Sequence, residues 1–231
     1  METAFEATDP FTPDTRHIAV IAAGLSDPSS TSMLAKQLGE ATADTLSARG
    51  FRPEMHHFEL RDVATDIADS MVTFSRSEQL NEMINEVEQA DGIITVSPVF
   101  KASYSGLFKS FWDLVDNEAL TGVPIQLGST GGSPRHSLVI DNSMRPLFSY
   151  LRMRVMPTGV YAATEDWGAA GGAVGDDHHS NVAYLSRRIQ RAGDDLADVV
   201  ARLEARPRRA SPQPKELEVI PFDQLLNGFD A

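Results

Sequence analysis

Two hydrophobic patterns alternate along most of the chain. Short apolar runs such as residues 17–23 (HIAVIAA) are continuous, which is typical of a strand covered on both faces. Longer segments such as residues 30–49 instead place Leu34, Leu38 and Leu46 on one helical stripe, ending at Gly50. These patterns predict five strands at 17–23, 52–60, 91–97, 123–127 and 154–162, and five helices at 30–49, 77–89, 106–116, 137–151 and 181–203.

Strands that alternate with helices through short loops form a parallel sheet covered on both faces. Right-handed crossovers restrict the topology to doubly wound forms. We therefore predict an α/β protein with a five-stranded parallel sheet in one domain, residues 16–204. Ligands of such sheets bind beyond the carboxyl ends of the strands. The turns after the first, third and fourth strands are accordingly the places to look for chemistry.

Composition narrows the classes of function. The chain has 231 residues, no cysteine and a net charge of −13, which excludes thiol chemistry and disfavours nucleic-acid binding. No apolar stretch is long enough to span a bilayer, and residues 1–15 form a polar segment that we expect to be flexible. We predict a cytoplasmic protein. Residues 205–231 read as a Pro/Arg-rich linker, with Arg206, Arg208 and Arg209 solvated, followed by an apolar docking segment at 217–228.

The turn after the first strand is rich in hydroxyls. Its sequence at 24–32 is GLSDPSSTS, and its hydroxyl side chains are Ser26, Ser29, Ser30, Thr31 and Ser32. A helix N-terminus with free N–H groups binds anions, and hydroxyls add donors. A plain helix cap is the structural alternative, but one hydroxyl would serve it. The turn matches neither a Walker loop nor a Rossmann fingerprint, so we interpret it as a site for a phosphate monoester.

The other two turns suit a flat ligand. After the third strand, Pro98 stiffens the turn, Phe100 offers an apolar surface, and the N–H groups at 101–103 are available to a heteroaromatic ring; an ordinary βα loop with a solvated Lys101 is equally compatible. After the fourth strand, adjacent glycines at 131 and 132 permit close backbone approach, although a tight turn also explains them. The glycine-rich stretch 168–175 predicts a mobile loop, and no histidine pair has metal-ligand spacing.

Three segments resemble the NAD(P)H-dependent FMN reductase family. They are GLSDPSST at 24–31, SPVFKASYSGLFKSFWD at 97–113 and LGSTGGS at 127–133, and the likeness extends over residues 17–161. The second segment is the most specific. The closest likeness is to the branch that supplies reduced flavin to two-component monooxygenases, and PFDQLL at 221–226 is similar to a subgroup paired with luciferase-like enzymes.

The resemblance implies a flavodoxin-like three-layer sandwich and a set of FMN contacts. It assigns the phosphate to Ser26, Ser29 and Thr31 with Ser30 as a neighbour, and the isoalloxazine and ribityl chain to Pro98, Val99, Phe100, Lys101, Ser103, Thr130, Gly131 and Gly132. Two departures stand out. Many members carry Arg in the phosphate loop, where this chain has Asp27 and no Arg nearby. Some carry an aromatic residue where Asn142 stands.

The implied reaction is hydride transfer from NAD(P)H to FMN, with no catalytic acid or base and no metal. Lys101 would stabilise the reduced flavin. The rival functions are an FMN-dependent quinone or azo reductase, a flavodoxin-like electron carrier and a phospholigand-binding protein. Arg135 and Arg152 are the candidates for contacting a 2′-phosphate. The family implies a homodimer or homotetramer, and the stripe of Leu107, Phe108, Phe111 and Trp112 is predicted as core, with an interface as the alternative.

Overall fold

A single twisted sheet runs through the computed structural model, which describes residues 13–168 and 177–208. Its strand order is β2-β1-β3-β5-β6, with β7 also on β5 and β4 also on β3. All pairs are parallel except the antiparallel β3–β4 pair. The strands are β1 Thr15–Ala22, β2 Arg52–Glu59, β3 Gly92–Phe100, β4 Ser103–Tyr104, β5 Pro124–Gly131, β6 Arg154–Val155 and β7 Val160–Ala163.

This order is the doubly wound, flavodoxin-like one that was predicted, but the strand count differs. The predicted fifth strand, 154–162, is two short strands, β6 and β7, which both pair with β5. Pro157 lies in the gap and has no N–H to donate to a ladder, which explains the interruption. The structure also extends β3 and β5 beyond their predicted ends at 97 and 127, so both strands reach into the turns predicted to hold the ligand.

Helices cover both faces of the sheet. They are α1 Ser30–Ala48, α2 Ala64–Thr73, α3 Glu78–Glu88, α4 Gly106–Trp112, α5 Asn117–Leu120, α6 Arg145–Tyr150 and α7 Asp177–Val200. The sequence analysis missed α2 and α5, and α4 ends four residues earlier than predicted. The predicted helix 137–151 is composite, because a π-helical turn at Ile140–Met144 precedes α6.

Side chains alternate between the two faces of the sheet along β1, and they contribute to a separate core on each face. Ile18 and Val20 pack with α1 and α7, whereas Ala19 and Ile21 pack beneath α2, α3 and α4. Phe108, Phe111 and Trp112 of α4 are at most 1% exposed and belong to the second core. The core interpretation of that stripe is therefore confirmed for these three side chains, and they are not available to an interface.

The chain after α7 folds back onto the amino end of the sheet. Arg206 N–H donates to Asp91 Oδ1 at 2.6 Å, and Arg208 Nη2 contacts both Glu86 oxygens at 2.6 and 2.7 Å. Within the described residues, the start of the predicted linker thus contacts the domain, and these two arginines are not simply solvated. No helix in the described ranges is long and apolar enough to cross a membrane. Residues 1–12, 169–176 and 209–231, with the flexible segment, glycine-rich loop and docking segment predicted there, lie outside the described residues.

Candidate functional site

A cleft of about 400 Å³ opens at the carboxyl ends of β1, β3 and β5. Three loops far apart in sequence line it. The lining residues are Gly24, Leu25, Ser26, Ser29, Ser30, Thr31, Pro98, Val99, Phe100, Thr130, Gly131, Gly132 and Thr164. Ten of the twelve predicted site residues are in this set. Lys101 and Ser103 are not, whereas Gly24, Leu25 and Thr164 were not predicted.

The loop after β1 is organised around the start of α1. Ser29 is the N-cap, and its Oγ accepts the N–H of Ser32 at 3.2 Å. Gly24 is required here because an added Cβ would lie 2.1 Å from Ser29 Oγ. No acidic residue occupies the first turn of α1. The unpaired N–H groups and the positive end of the helix dipole lie at the cleft, and no carboxylate of the helix's own first turn competes with a ligand there.

The five hydroxyls of this loop have different uses. Ser32 Oγ donates to Glu59 Oε2 at 2.8 Å, so it holds the end of β2. Thr31 is buried, and its Oγ1 lies 2.7 Å from Thr130 Oγ1, which joins α1 to β5. Ser26 and Ser30 are exposed. Ser26 Oγ donates to Pro28 O at 3.0 Å within the loop. The five hydroxyls therefore comprise one helix cap, two that join elements of the fold, and two exposed ones, of which Ser26 also bonds locally.

The segment after β3 is a hairpin rather than an ordinary βα loop. Phe100 pairs with Ser103, and the two residues between them, Lys101 and Ala102, have φ angles of 49° and 65°. Positive φ at both central residues is the type I′ turn that matches strand twist. Lys101 therefore lies at an exposed turn tip, while Phe100 faces the cleft with 45% of its surface exposed.

The two glycines at the end of β5 have different surroundings: Gly131 has no room for a side chain, and Gly132 is open. An added Cβ on Gly131 would lie 2.2 Å from the Tyr161 hydroxyl, which donates to Ser133 O at 2.7 Å. Burial raises the pKa of Tyr161, so this hydroxyl keeps its proton at neutral pH. At Gly132 an added Cβ would meet nothing within 4 Å, so its backbone is open to a ligand.

A cation reaches the loop from β2. Arg61, in the 3-10 turn Leu60–Val63 directly after β2, donates from Nη1 to Ser26 O at 2.6 Å. The expectation that no arginine lies near this loop is therefore wrong. No local pattern indicates this contact, because 35 residues separate the two groups and only the parallel pairing of β1 with β2 brings them together.

The remaining residues considered in the sequence analysis lie at different ends of the sheet. Arg152 lies beside Gly122, whose N–H donates to Arg152 O, at the end opposite the cleft. It is therefore badly placed to contact a nucleotide held in the cleft. Arg135 follows β5 at the correct end and is exposed. Asn142 is exposed in the π-helical turn Ile140–Met144.

No side chain lining the cleft, within the described residues, is an acid or a base that titrates near neutral pH. The walls offer backbone donors, hydroxyls, a proline and a phenyl ring. Together with the arginine at its edge, this set fits a ligand with one phosphate and a flat ring system. A flavodoxin-like sheet with this cleft defines a protein that binds a mononucleotide such as flavin.

Similarity to known proteins identifies the family within this class. The model of the family "NADPH-dependent FMN reductase" matches residues 16–168, and the chain belongs to this family. It is 34% identical over 180 residues to the NADH-dependent FMN reductase SfnF of Pseudomonas putida, which covers 78% of this chain and 90% of the relative. The predicted family, its oxidoreductase class and its use of FMN and NAD(P)H are thereby confirmed.

Solved structures agree with the fold. An oxidoreductase from Corynebacterium diphtheriae is 43% identical with a TM-score of 0.75, over 82% of this chain and 99% of that one. A flavodoxin, WrbA-like protein from Agrobacterium tumefaciens is 15% identical with a TM-score of 0.51, over 82% and 99%. The second likeness concerns the fold alone and confirms the flavodoxin-like prediction.

Proposed function

We propose that this chain reduces FMN with NAD(P)H and that FMN binds in the cleft at the carboxyl ends of β1, β3 and β5. The observation that carries the placement is the convergence of three loops, distant in sequence, on one cleft without titratable walls. Its volume of about 400 Å³ lies within the usual range of cofactor sites.

The FMN phosphate is assigned to the loop at 24–32. The N-terminus of α1 supplies backbone N–H groups, and Ser26 and Ser30 supply exposed hydroxyls. Thr31 acts through Thr130 by holding the start of α1 against β5. Arg61 adds a positive charge at the rim through its bond to Ser26 O. The site thus combines neutral donors with the charge of Arg61.

The flavin ring is assigned to the space between the ends of β3 and β5. Pro98, Val99 and Phe100 border it on one side, and Thr130, Gly131 and Gly132 on the other. The open backbone at Gly132 permits contact with a ring edge. Flavin contacts of Lys101 and Ser103 were also predicted and stay predictions, because neither residue is among those lining the cleft. Lys101 lies at the tip of the hairpin.

FMN, when bound, supplies the chemistry that accepts a hydride and passes electrons on. The chain's own residues bind the phosphate, stack against the ring and keep the ring in one orientation. The absence of a titratable side chain among the lining residues agrees with a reaction that needs no acid or base from the protein. Backbone N–H groups at the cleft stabilise negative charge on a bound ring.

The test is the visible spectrum of the purified protein with added FMN, before and after anaerobic addition of NADH or NADPH. We expect saturable FMN binding and rapid bleaching by at least one nucleotide. Bound FMN that stays oxidised would indicate an electron carrier and overturn the proposal. Turnover with quinones or azo compounds but not with free FMN would indicate the corresponding reductase.

We further propose that the reduced flavin is handed to a partner monooxygenase and that the enzyme works in the cytoplasm, where NAD(P)H is available. Two observations support release: Leu25 and Phe100 at the cleft are about half exposed, and Arg61, which reaches the phosphate loop, already donates to the backbone carbonyl of Ser26. Dissociation of reduced FMN faster than turnover, measured by trapping with excess apoflavodoxin, is the expected outcome. Retention over many turnovers would contradict it.

We also propose a homodimer or homotetramer. Support comes from a cluster of exposed apolar side chains near the end of α2, where Val72 is 78% and Phe74 93% exposed. Such a patch on a folded surface usually marks an interaction site. Light scattering after gel filtration should give a multiple of the 25.2 kDa chain mass, reduced for Phe74→Ser. A wild-type monomer at micromolar concentration would contradict the proposal.

A further inference from the structure

Three potential metal ligands meet at the amino end of the sheet, on the opposite side of the molecule from the cleft. His17 lies near the start of β1, and Glu54 and His56 lie on β2. One ligand atom from each lies within 4.8 Å of the other two. We call these three residues the base cluster. Because seven residues separate His17 from Gly24, the strand rise puts the two sites roughly 20 Å apart.

Strand geometry explains the convergence. Glu54 and His56 are two residues apart on one strand, so both point to the same face of the sheet. In the parallel register His17 is opposite Glu54, and Ala19 is opposite His56. The three side chains therefore share one patch of the sheet. Sequence spacing missed the cluster because its two histidines are 39 residues apart.

The distances match those of a first coordination shell. His17 Nδ1 lies 3.2 Å from His56 Nε2 and 3.5 Å from Glu54 Oε2. Zn–N and Zn–O bonds of about 2.1 Å at tetrahedral angles separate neighbouring ligand atoms by about 3.4 Å. Two imidazoles and a carboxylate are also a ligand set that zinc commonly uses in proteins.

The outer partners orient the ligands. His56 Nδ1 lies 3.5 Å from Glu86 Oε2, and a carboxylate there favours the tautomer that leaves Nε2 unprotonated. Arg208 contacts both Glu86 oxygens, and Arg52 lies 3.5 Å from Glu54 Oε1, which leaves Glu54 Oε2 toward His17. The backbone N–H of His17 donates to Asp91 Oδ2 at 2.8 Å.

A neutral imidazole is the form that ligates metals. The alternative use of the same atoms is a hydrogen bond between the two rings, which needs a proton on one of the facing nitrogens.

We propose that the base cluster binds one divalent transition-metal ion of the zinc class, held by His17, Glu54 and His56. The remaining coordination position is open to water, since all three residues are half-buried. The ion joins β1 to β2 next to α3 and the chain after α7, and it takes no part in flavin reduction. Its expected role is structural.

The experiment titrates the full-length, tag-free protein with Co²⁺ and then Zn²⁺. The chain has no cysteine, so thiolate bands cannot confuse the Co²⁺ spectrum. We expect one equivalent of Co²⁺ to give the visible bands of a low-coordinate site, and Zn²⁺ to displace it. Zn²⁺ should also raise the melting temperature and leave the affinity for FMN unchanged.

Matched variants identify the ligands. His17→Gln and His56→Gln should abolish binding at concentrations that saturate the wild type. His57→Gln, on the other face of β2, and the double change His178→Gln/His179→Gln should retain it. Glu86→Gln should weaken binding about 10-fold to 100-fold, as for an outer partner, and it tests the site even if a ligand variant fails to fold. The proposal would be overturned if the wild type bound no Co²⁺ or Zn²⁺. It would also be overturned if the His178/His179 variant lost metal binding while the His17 and His56 variants kept it.

Discussion

The carboxyl and amino ends of the same sheet are built from different kinds of side chain. At the carboxyl end, the cleft is lined by hydroxyls, glycines and apolar surfaces, and Arg61 approaches only its edge. At the amino end, charged groups are bonded within the protein and partly buried: Glu86 pairs with Arg208, and Asp91 accepts the backbone N–H of Arg206. The carboxyl end has to bind a ligand that brings its own charge. The amino end joins segments of the protein, so its charged side chains have to be neutralised within the protein.

This contrast gives a general expectation for substitutions. Changes at the amino end should alter the free energy of unfolding and leave FMN binding intact. Changes at the carboxyl end should alter FMN binding, with a smaller or matched effect on stability. Four predictions test this division.

The largest effect is expected for Asp91→Ala. Asp91 is 5% exposed and accepts the N–H groups of His17 and Arg206 at 2.8 and 2.6 Å. Removing it leaves two backbone N–H donors without their acceptor, which should lower the free energy of unfolding by about 3 kcal/mol. Urea unfolding measures the loss. Asp113→Ala, which removes an exposed ion pair with Lys109, should cost less than about 0.5 kcal/mol; equal losses would contradict the prediction.

Gly131→Ala should have the second largest effect on stability. The added Cβ would meet the Tyr161 hydroxyl at 2.2 Å, so we expect a loss of about 2 kcal/mol from overpacking together with weaker FMN binding. Thermal unfolding and a flavin fluorescence titration measure the two effects. In the background of Tyr161→Phe the nearest remaining atom is at 3.2 Å, so the double variant should recover part of both. A double variant no better than the single one would refute this account.

Arg61→Ala should act on binding alone. Loss of the guanidinium beside the loop at 24–32 should weaken FMN binding about tenfold, equivalent to about 1.4 kcal/mol. The effect should shrink at high salt, because Arg61 is partly exposed. Isothermal titration at two ionic strengths is the measurement. Lys36→Ala changes the net charge equally at an exposed site on α1 and should leave the affinity within twofold.

The smallest effect separates a helix cap from a ligand contact. Ser29 and Ser77 cap α1 and α3 through the same hydrogen bond, each accepting the backbone N–H three residues later at 3.2 Å. Alanine at either position should cost about 1 kcal/mol of stability. Only Ser29→Ala should also raise the dissociation constant for FMN. If both variants bound FMN equally well, the hydroxyl of Ser29 would be a cap and nothing more.

Local patterns were enough for much of the architecture. The continuous run at 17–23 and the helical stripe of 30–49 correspond to β1 and α1 within two residues, because both depend on nearest-neighbour periodicity. The predicted strand at 154–162 was less accurate, since Pro157 divides it in a way that period alone does not reveal. The helix α2 was missed for a different reason: it has only ten residues, so few positions carry its periodic pattern.

From the sequence alone, the order of strands and helices determined the fold class and the edge of the sheet where a ligand binds. The resemblance of three segments determined the family and the ten predicted residues that line the cleft. Only the tertiary structure decided what those residues do beside one another. It turned Thr31 toward Thr130, brought Arg61 to Ser26 and assembled the base cluster. Each of these contacts joins residues 35 to 99 positions apart. Strand register and the packing of helices on the sheet set such contacts, and neither is written in any local pattern.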